Sequence, residues 1–157
     1  MIKIVLFDID GVLTDGSLLV DYNGNELKQV NLVDIDAVHA IKKQGFLIGA
    51  ITGENTALCN YFEKRFPWDY FYFGRKDKLD VIKEIETITG ISSCEICYIG
   101  DGFYDIEPLS YVGLSVCPNN AIKEVKDIVD ICLTRNGGSG CIWEFRNILL
   151  ELKEKGE

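Results

Sequence analysis

The sequence predicts an α/β fold in which a parallel β-sheet carries helices on both faces. Short apolar runs alternate along the chain with amphipathic, helix-like segments, and this alternation is typical of successive βαβ units. The first run, residues 2–7, is almost continuously apolar, as expected for a strand that is buried on both of its faces. The chain has 157 residues, a length that suits one domain, and we predict a single domain over residues 1–157.

The segment after the first strand predicts a β-hairpin and a helix. Strand-like runs at 17–21 and 26–31 flank an Asn-Gly pair, which is a strong short-range signal for a hairpin turn. A helix is predicted over 34–44, because Ile35, Val38 and Ile41 fall on one face of it. Gly45 follows as a typical helix stop.

The rest of the chain alternates regularly between the two element types. Strands are predicted at 46–51, 70–73, 96–99, 114–116 and 131–133. Helices are predicted at 55–66, 76–89, 105–112, 120–127 and 142–153. Pro67 and Gly90 end two of these helices, and a glycine-rich tail at 135–140 precedes the last one.

Composition and charge narrow the classes of partner. The formal net charge of −9 argues against nucleic acid or an anionic membrane surface as a partner. No stretch approaches the roughly 18 to 20 apolar residues that a membrane-spanning helix needs. Without a secretory signal we expect a cytoplasmic protein with six reduced cysteines. Cys94 and Cys97 have the spacing of a zinc or redox pair, but no second pair completes four ligands.

Polar side chains follow several of the predicted strands at their carboxyl ends, the edge at which open α/β sheets bind ligands. Two of them directly follow the first strand, and the others follow later strands or begin the next helix. In chain order they are Asp8, Asp10, Thr52, Gly53, Lys78, Asp101 and Asp105. Each alone would suit a solvated loop, whereas their joint placement predicts a common site.

The chemistry of this set points to phosphoryl transfer. Clustered carboxylates repel one another, and Mg²⁺, which prefers oxygen ligands, is the natural compensation. An aspartate can form a covalent aspartyl-phosphate, and a second acid can protonate the leaving oxygen and then activate water. Thr52, the amide of Gly53 and the ammonium of Lys78 would hold the phosphoryl oxygens.

Four segments resemble the signatures of the haloacid dehalogenase (HAD) phosphatase superfamily, in the same order. They are Asp8-Ile-Asp10-Gly-Val-Leu-Thr14, Ile51-Thr52-Gly53, Lys76-Asp-Lys78 and Gly100-Asp101-Gly-Phe-Tyr-Asp105. The whole chain is similar to the 3-deoxy-D-manno-octulosonate (KDO) 8-phosphate phosphatases and their sialic-acid-pathway relatives. The resemblance implies a Rossmann-like HAD fold with a β-hairpin flap at 17–31 and no separate cap domain.

The resemblance also implies a role for each site residue. Asp8 would be the nucleophile and Asp10 the general acid and base. Mg²⁺ would be held by Asp8, the backbone carbonyl of Asp10, and Asp101, with Asp105 in support. Thr52, Gly53 and Lys78 would bind phosphate. The implied activity is hydrolysis of a phosphorylated 3-deoxy-2-keto sugar acid, of the KDO 8-phosphate or nonulosonate 9-phosphate type.

The gaps between motifs leave no room for a lid. Only a hairpin and a helix fit between Asp8 and Thr52, and only a helix and a strand fit between Thr52 and Lys78. An uncovered site would be open to water and poorly selective. Relatives are homotetramers in which hairpins and tails of neighbouring subunits close the site. We therefore expect a homotetramer that uses 17–31 and 135–140.

Several residues depart from the pattern of the relatives or are candidates for selecting the substrate. Gly102 stands where relatives usually have a second acid, which would loosen the outer shell of the metal. Val33 replaces a basic residue expected near the substrate. Glu54 replaces the arginine typical of octulosonate phosphatases and matches nonulosonate phosphatases, although glutamate at a helix start also favours the dipole. The candidate selectivity residues are Glu54, Arg135, Gly137 and Gly138.

Three alternatives remain at this stage. The first is a catalytically weak assembly or regulatory module of the same fold, related to the domain fused to acylneuraminate cytidylyltransferases. Such domains tend to lose the second aspartate or the lysine, whereas this chain keeps Asp10 and Lys78. The second is a receiver domain, but the acceptor aspartate of a receiver follows a middle strand, whereas Asp8 follows the first strand of this chain. The third is a phosphomutase, which would need a lid to retain its intermediate.

Overall fold

Six parallel strands form the central sheet of the computed structural model, which describes residues 1–156. The strands are β1 (Ile4–Phe7), β2 (Leu19–Val20), β3 (Glu26–Leu27), β4 (Leu47–Ile51), β5 (Tyr70–Tyr72), β6 (Ile96–Ile99), β7 (Leu114–Cys117) and β8 (Ile131–Cys132). The order across the sheet is β5-β4-β1-β6-β7-β8, and β2 and β3 form a separate antiparallel pair. The first strand therefore lies in the interior of the sheet, between β4 and β6.

Helices cover both faces of the sheet, as the sequence predicts. They are α1 (Leu32–Lys43), α2 (Leu58–Arg65), α3 (Lys78–Thr89), α4 (Ile106–Tyr111), α5 (Lys123–Lys126) and α6 (Cys141–Lys155). Two short 3₁₀ helices, Ser93–Glu95 and Phe103–Asp105, precede β6 and α4. Within residues 1–156 no helix is long and apolar enough to cross a membrane.

The alternation of β1 side chains explains why the core has two halves. Val5 and Phe7 belong to one apolar cluster, with buried residues of α1 and α6. Ile4 and Leu6 belong to the other cluster, with buried residues of α3. Successive side chains of a strand point to opposite faces of the sheet, so four consecutive buried residues supply both halves. The predicted parallel α/β fold is confirmed.

The hairpin is shorter than predicted, and its turn has a different geometry. β2 and β3 contain two residues each, and the tip residue Tyr22 is 98% exposed. A two-residue Asn-Gly turn needs positive φ at both positions, but only Gly24 has it, at 82°, while Asn23 does not. The side chain of Asp21 explains this, because it accepts hydrogen bonds from the amides of Asn23 (2.8 Å) and Asn25 (2.9 Å).

Helix boundaries shift where local capping competes with the apolar pattern. α1 begins two residues early, because the side chain of Asn31 accepts from the amides of Val33 (2.8 Å) and Asp34 (3.3 Å). The predicted helix at 105–112 divides into the 3₁₀ turn Phe103–Asp105 and α4. The predicted helices at 55–66 and 120–127 shorten to α2 and α5.

Candidate active site

The predicted residues at the strand ends meet at one edge of the sheet. Asp8 directly follows β1, and its amide donates to the carbonyl of Ile99 at the end of β6 (2.8 Å). Thr52 directly follows β4, and its amide donates to the carbonyl of Tyr72 at the end of β5 (2.9 Å). The parallel ladder therefore continues one residue past the strands and fixes the backbone of both residues.

Lys78 joins two buried carboxylates. It is the first residue of α3, and its side chain is only 4% exposed. Its ammonium lies 2.8 Å from Oδ1 of Asp8 and 2.7 Å from Oδ1 of Asp105. A buried ammonium placed between two carboxylates offsets part of the desolvation cost of all three groups. Lys78 and Asp8, which the sequence analysis places at the same edge of the sheet, are in direct contact.

Asp105 is the most completely hydrogen-bonded acid of the site. Besides Lys78, its Oδ1 accepts from the hydroxyl of Tyr98 (2.6 Å). Its Oδ2 accepts from the amides of Asp101 (2.9 Å) and Gly102 (3.0 Å). Burial opposes ionisation of Asp105, but Lys78 together with the hydrogen bonds from Tyr98 and Gly102 outweighs it and holds the pKa of Asp105 below its ordinary value. Gly102, which replaces an acid of the relatives, thus contributes through its amide.

The charges of Asp8 and Asp101 are poorly compensated. Burial, followed by the charge of Asp105, raises the pKa of Asp8 well above its ordinary value. The same two causes raise the pKa of Asp101 to about 6. The pKa of Lys78 is raised, because the charges of Asp8 and Asp105 together outweigh the desolvation that would lower it. Three carboxylates therefore share one ammonium, and the cluster has an excess of negative charge.

These acids fit the predicted magnesium site. One oxygen from each of Asp8, Asp101 and Asp105 lies within 4.8 Å of the others. The donors are all carboxylate oxygens, the type that Mg²⁺ prefers. A Cβ atom on Gly11 would lie 1.8 Å from Oδ2 of Asp101, so the glycine leaves the space that Asp101 occupies. The structure thus places Asp105 in the cluster with Asp8 and Asp101.

The carboxylate of Asp10 makes an ion pair that sequence reasoning missed. Its Oδ1 lies 2.7 Å from the ammonium of Lys28, whose side chain is 7% exposed. Lys28 directly follows β3, so this contact ties the hairpin to the loop between β1 and β2. This loop, residues 8–18, is named the nucleophile loop after the expected nucleophile Asp8. It is the single cation in segment 17–31 of the sequence, and this isolation is a signal that could have identified it.

An open cleft of about 210 Å³ lies above these groups. Its lining residues are Asp8, Asp10, Thr52, Gly53, Glu54, Lys76, Lys78 and Tyr104. The hydroxyl oxygen of Thr52 accepts from the amide of Glu54 (3.2 Å), which leaves its own hydrogen free to donate into the cleft. Lys76 and Tyr104 were not predicted as site residues, although both belong to the signature segments: Lys76 lies in the loop before α3, and Tyr104 lies in the 3₁₀ turn Phe103–Asp105.

The glycine-rich tail packs under the nucleophile loop of its own chain. The side chain of Asn120 donates to the carbonyl of Gly11 (3.2 Å) and accepts from the amide of Gly137 (2.6 Å). The amide of Gly138 donates to the carbonyl of Val12 (3.0 Å). A Cβ on Gly137 would lie 1.8 Å from the carbonyl oxygen of Gly11, so only glycine fits there.

The other predicted selectivity residues occupy different places. Glu54 lines the cleft, as expected. The guanidinium of Arg135 lies beside Gly140, just before α6, and neither it nor Gly137 and Gly138 is among the cleft's lining residues in the described chain. Val33 lies half-exposed in the first turn of α1. The selectivity roles of the tail residues therefore stay predictions.

The arrangement is suited to attack on an anionic ester. Asp8 lines the cleft with a carboxylate, a group that can attack phosphorus, and the donors of Thr52 and Lys78 lie beside it. Such donors stabilise charge that develops on a transferred group. Asp10 also lines the cleft, and its partly exposed carboxylate can exchange protons with a leaving group or with water.

Comparisons with known proteins identify the family of the chain. Residues 68–145 match the haloacid dehalogenase-like hydrolase family. The 3-deoxy-D-manno-octulosonate 8-phosphate phosphatase KdsC of Haemophilus influenzae is 27% identical over 154 residues, which cover 98% of this chain and 86% of that protein.

Two solved structures superpose on nearly the whole chain. A probable YrbI family phosphatase from Pseudomonas syringae pv. phaseolica has a TM-score of 0.91 and 30% identity, covering 96% of this chain and 85% of that one. The 3-deoxy-D-manno-octulosonate 8-phosphate phosphatase of Moraxella catarrhalis, in complex with magnesium, phosphate and KDO, has a TM-score of 0.90 and 27% identity, with coverage of 96% and 86%. Because of its fold and its similarity to these relatives, the chain belongs to the haloacid dehalogenase superfamily of hydrolases.

Proposed function

We propose that this chain is a magnesium-dependent phosphatase that hydrolyses the phosphate monoester of a 3-deoxy-2-keto sugar acid through an aspartyl-phosphate. The observation that carries the proposal is the position of Asp8. It is buried at the carboxyl end of an interior strand, 2.8 Å from Lys78 and within the acid cluster. The relatives named as phosphatases of KDO 8-phosphate support the substrate class.

The reaction proceeds in two steps. A carboxylate oxygen of Asp8 attacks phosphorus, the bond from phosphorus to the ester oxygen breaks, and Asp10 gives a proton to the leaving oxygen. Asp10, now a carboxylate, takes a proton from water as that water attacks phosphorus. The acyl phosphate bond then breaks, which releases inorganic phosphate and restores Asp8.

Three groups of the cleft would hold the phosphoryl oxygens. They are the free hydroxyl hydrogen of Thr52, the amide of Gly53 and the ammonium of Lys78. Because Lys78 also binds Asp105, which three further donors fix in place, its ammonium is preorganised before the substrate arrives. Preorganised donors stabilise the charge of the transition state without further rearrangement.

Asp8, Asp101 and Asp105 would hold Mg²⁺, and the backbone carbonyl of Asp10 is its expected further ligand. Bound Mg²⁺ would shield the attacking carboxylate from the charge of the phosphate and balance the excess negative charge of the cluster. The fit rests on the grouping of carboxylate oxygens within 4.8 Å and on the raised pKa values of Asp8 and Asp101.

Assembly and selectivity are part of the same proposal. The hairpin exposes apolar residues, among them Leu19 and Tyr22, and such a surface suits contact with another copy of the chain. We therefore expect a homotetramer in which hairpins cover the clefts of neighbours. Glu54 lines the cleft, and because it matches the glutamate of nonulosonate phosphatases, we expect a preference for a nonulosonate 9-phosphate over an octulosonate 8-phosphate.

The nucleophile is tested with Asp8→Asn and a matched exposed variant, Asp36→Asn on α1. Phosphate release from a simple ester in Mg²⁺ should fall at least about 1,000-fold in Asp8→Asn, since the covalent step is lost. Asp36→Asn should keep wild-type activity. Full activity of Asp8→Asn, with the fold checked by circular dichroism, would end the assignment.

The substrate is tested by steady-state comparison of KDO 8-phosphate and a nonulosonate 9-phosphate. We expect a kcat/KM at least about tenfold higher for either sugar acid than for a simple ester, because binding energy from the rest of the substrate lowers the barrier. If neither sugar acid is preferred, the phosphatase chemistry stands and the substrate class fails.

A further inference from the structure

The cleft contains two ammonium groups, and carboxylates neutralise only one of them. Lys78 lies between Asp8 and Asp105. Lys76, in the loop before α3, lines the same cleft. Among residues 1–156 no carboxylate lies within 4.0 Å of the Lys76 ammonium. A cation without a partner in an acidic protein is available to an anionic group of a ligand.

Contacts along its length position the Lys76 side chain in the cleft. Its stem packs on the loop after β4, where a Cβ on Gly53 would lie 3.0 Å from Cγ of Lys76. Its ammonium lies 5.2 Å from the centre of the Tyr104 ring, a cation–π distance. Tyr104 belongs to the turn that carries Asp105, so the Lys76 charge lies against the wall of the cleft that this turn forms.

A second depression of about 360 Å³ adjoins this wall. Its lining residues are Lys76, Phe103, Tyr104, Ile106 and Glu107. Lys76 and Tyr104 line both cavities, so the two form one groove that extends from Asp8 to Phe103. A groove of this size holds more than a phosphate group and has room for the body of a substrate.

The second depression presents aromatic rings. Phe103 is 73% exposed and Tyr104 is 51% exposed, and their rings meet edge to face at 5.5 Å. Because Asp105 is fixed by the amides of Asp101 and Gly102, the turn that carries both rings is anchored at the acid cluster. Exposed aromatic faces held in place are typical of ligand sites, since they offer apolar area at little cost in conformational entropy.

We infer that Lys76, Tyr104 and Phe103 form the subsite for the leaving group. The carboxylate of the substrate binds the Lys76 ammonium, and its carbon skeleton lies against the two rings. The inference rests on the proposed function, because it places the phosphoryl group at Asp8. It assigns the substrate to the phosphate esters of carboxylated polyols and requires both a negative charge and a carbon body.

The test compares Lys76→Met and Tyr104→Ala on three substrates in Mg²⁺. The first is KDO 8-phosphate. The second is glucose 6-phosphate, which lacks the carboxylate, and the third is acetyl phosphate, which lacks both the carboxylate and the sugar carbon skeleton. For Lys76→Met, the loss of kcat/KM on KDO 8-phosphate should exceed the loss on the other two at least about tenfold. For Tyr104→Ala, the loss should be similar on both sugar phosphates and at least about fivefold smaller on acetyl phosphate.

Lys83→Met and Tyr111→Ala are the matched controls. Lys83 lies 5.8 Å from the ring centre of Tyr111, so this pair has the same chemistry outside the cleft. Neither control should change the ranking of the three substrates. Equal losses on all three substrates for Lys76→Met, or none on KDO 8-phosphate, would overturn the subsite. A changed sedimentation mass with unchanged kinetics in Tyr104→Ala would also overturn it, since it would assign the rings to a contact between copies.

Failure of the subsite can be told from failure of the proposed function. The proposed function stands and the subsite fails if the wild type hydrolyses acetyl phosphate but Lys76→Met loses the same kcat/KM on all three substrates. If the wild type is inactive on all three substrates, the proposed function fails. Calorimetry with free KDO then tests whether the subsite binds the sugar acid. Binding that weakens at least about tenfold in Lys76→Met supports it, and binding that is absent or unchanged refutes it.

Discussion

At the residue scale, the site depends on which buried charges have partners. Asp105 is surrounded by donors from Lys78, Tyr98 and two amides, which makes it a fixed anchor. Asp8 contacts the same ammonium but has a raised pKa, so its charge is held less favourably. Asp105 is fixed in place, whereas the charge of its neighbour Asp8 is only partly balanced. This arrangement leaves the site suited to bind a cation and a phosphate.

Lys28 gives the first residue-scale prediction. Its ammonium holds one oxygen of the Asp10 carboxylate, so Lys28→Met should leave that carboxylate without a fixed orientation. Loss of orientation at a reacting group costs rate, and we expect kcat to fall about tenfold with little change in KM. Steady-state kinetics on KDO 8-phosphate measure both constants.

Lys28→Arg is the matched control, since it retains the charge and should recover much of the rate. Lys64→Met, at an exposed residue of α2, should have no effect. An unchanged kcat in Lys28→Met, or a change in KM alone, would show that Lys28 only secures the hairpin.

At the element scale, the last helix is tied to the rest of the chain by acids at its start. Asp34 of α1 accepts from the amides of Gly140 and Ile142 (both 2.9 Å) and so caps α6. Glu144, in the first turn of α6, accepts from the amides of Thr134 (2.9 Å) and Arg135 (3.0 Å). These bonds fix both ends of the tail that packs under the nucleophile loop.

Glu144 predicts a pH dependence of stability. Partial burial would raise its pKa, but hydrogen bonds from Thr134 and Arg135 outweigh it and hold the pKa below its ordinary value. The stabilisation is therefore present above the unfolded pKa of about 4.3 and is lost as the pH falls through the lower folded pKa. Glu144→Gln should reduce the free energy of unfolding by about 1 kcal/mol at pH 7 and by almost nothing near pH 3.

Urea unfolding of both proteins at pH 7, 5 and 3 measures this difference. Glu151→Gln, at an exposed position of the same helix, is the control and should match the wild type at every pH. A gap between wild type and Glu144→Gln that stays constant from pH 7 to pH 3 would contradict the assigned origin of the effect.

The same scale shows what the sequence could predict. The strand at 96–99 has the predicted bounds, because its apolar run is continuous and ends at Gly100. The site acids and Lys78 were found because parallel strands bring their ends together. Asn120 could not be found, since it pairs with Gly11 across 109 positions and leaves no periodic signal. The hairpin turn was wrong in detail because the Asp21 side chain competes with backbone pairing.

At the scale of the whole molecule, charge and stability are linked through the metal site. The chain has a net charge of −9, and three of its acids are grouped around one ammonium. Any ligand that binds only the folded state stabilises it by mass action. A divalent cation at Asp8, Asp101 and Asp105 would also remove repulsion among them, so its binding and the stability of the fold should rise together.

Magnesium should therefore raise the melting temperature of the wild type. At a concentration about 100 times its Kd the stabilisation is about 2.7 kcal/mol, which corresponds to roughly 5–10 °C for a domain of this size. Calorimetry in Mg²⁺, in EDTA and in NaCl of matched ionic strength separates specific binding from screening. Asp101→Asn removes one acid of the cluster and should abolish most of the shift, whereas Asp36→Asn should retain it. An equal rise in Mg²⁺ and in NaCl, or a full rise in Asp101→Asn, would mean that the cation acts on the general charge of the protein and that the acid cluster does not hold it.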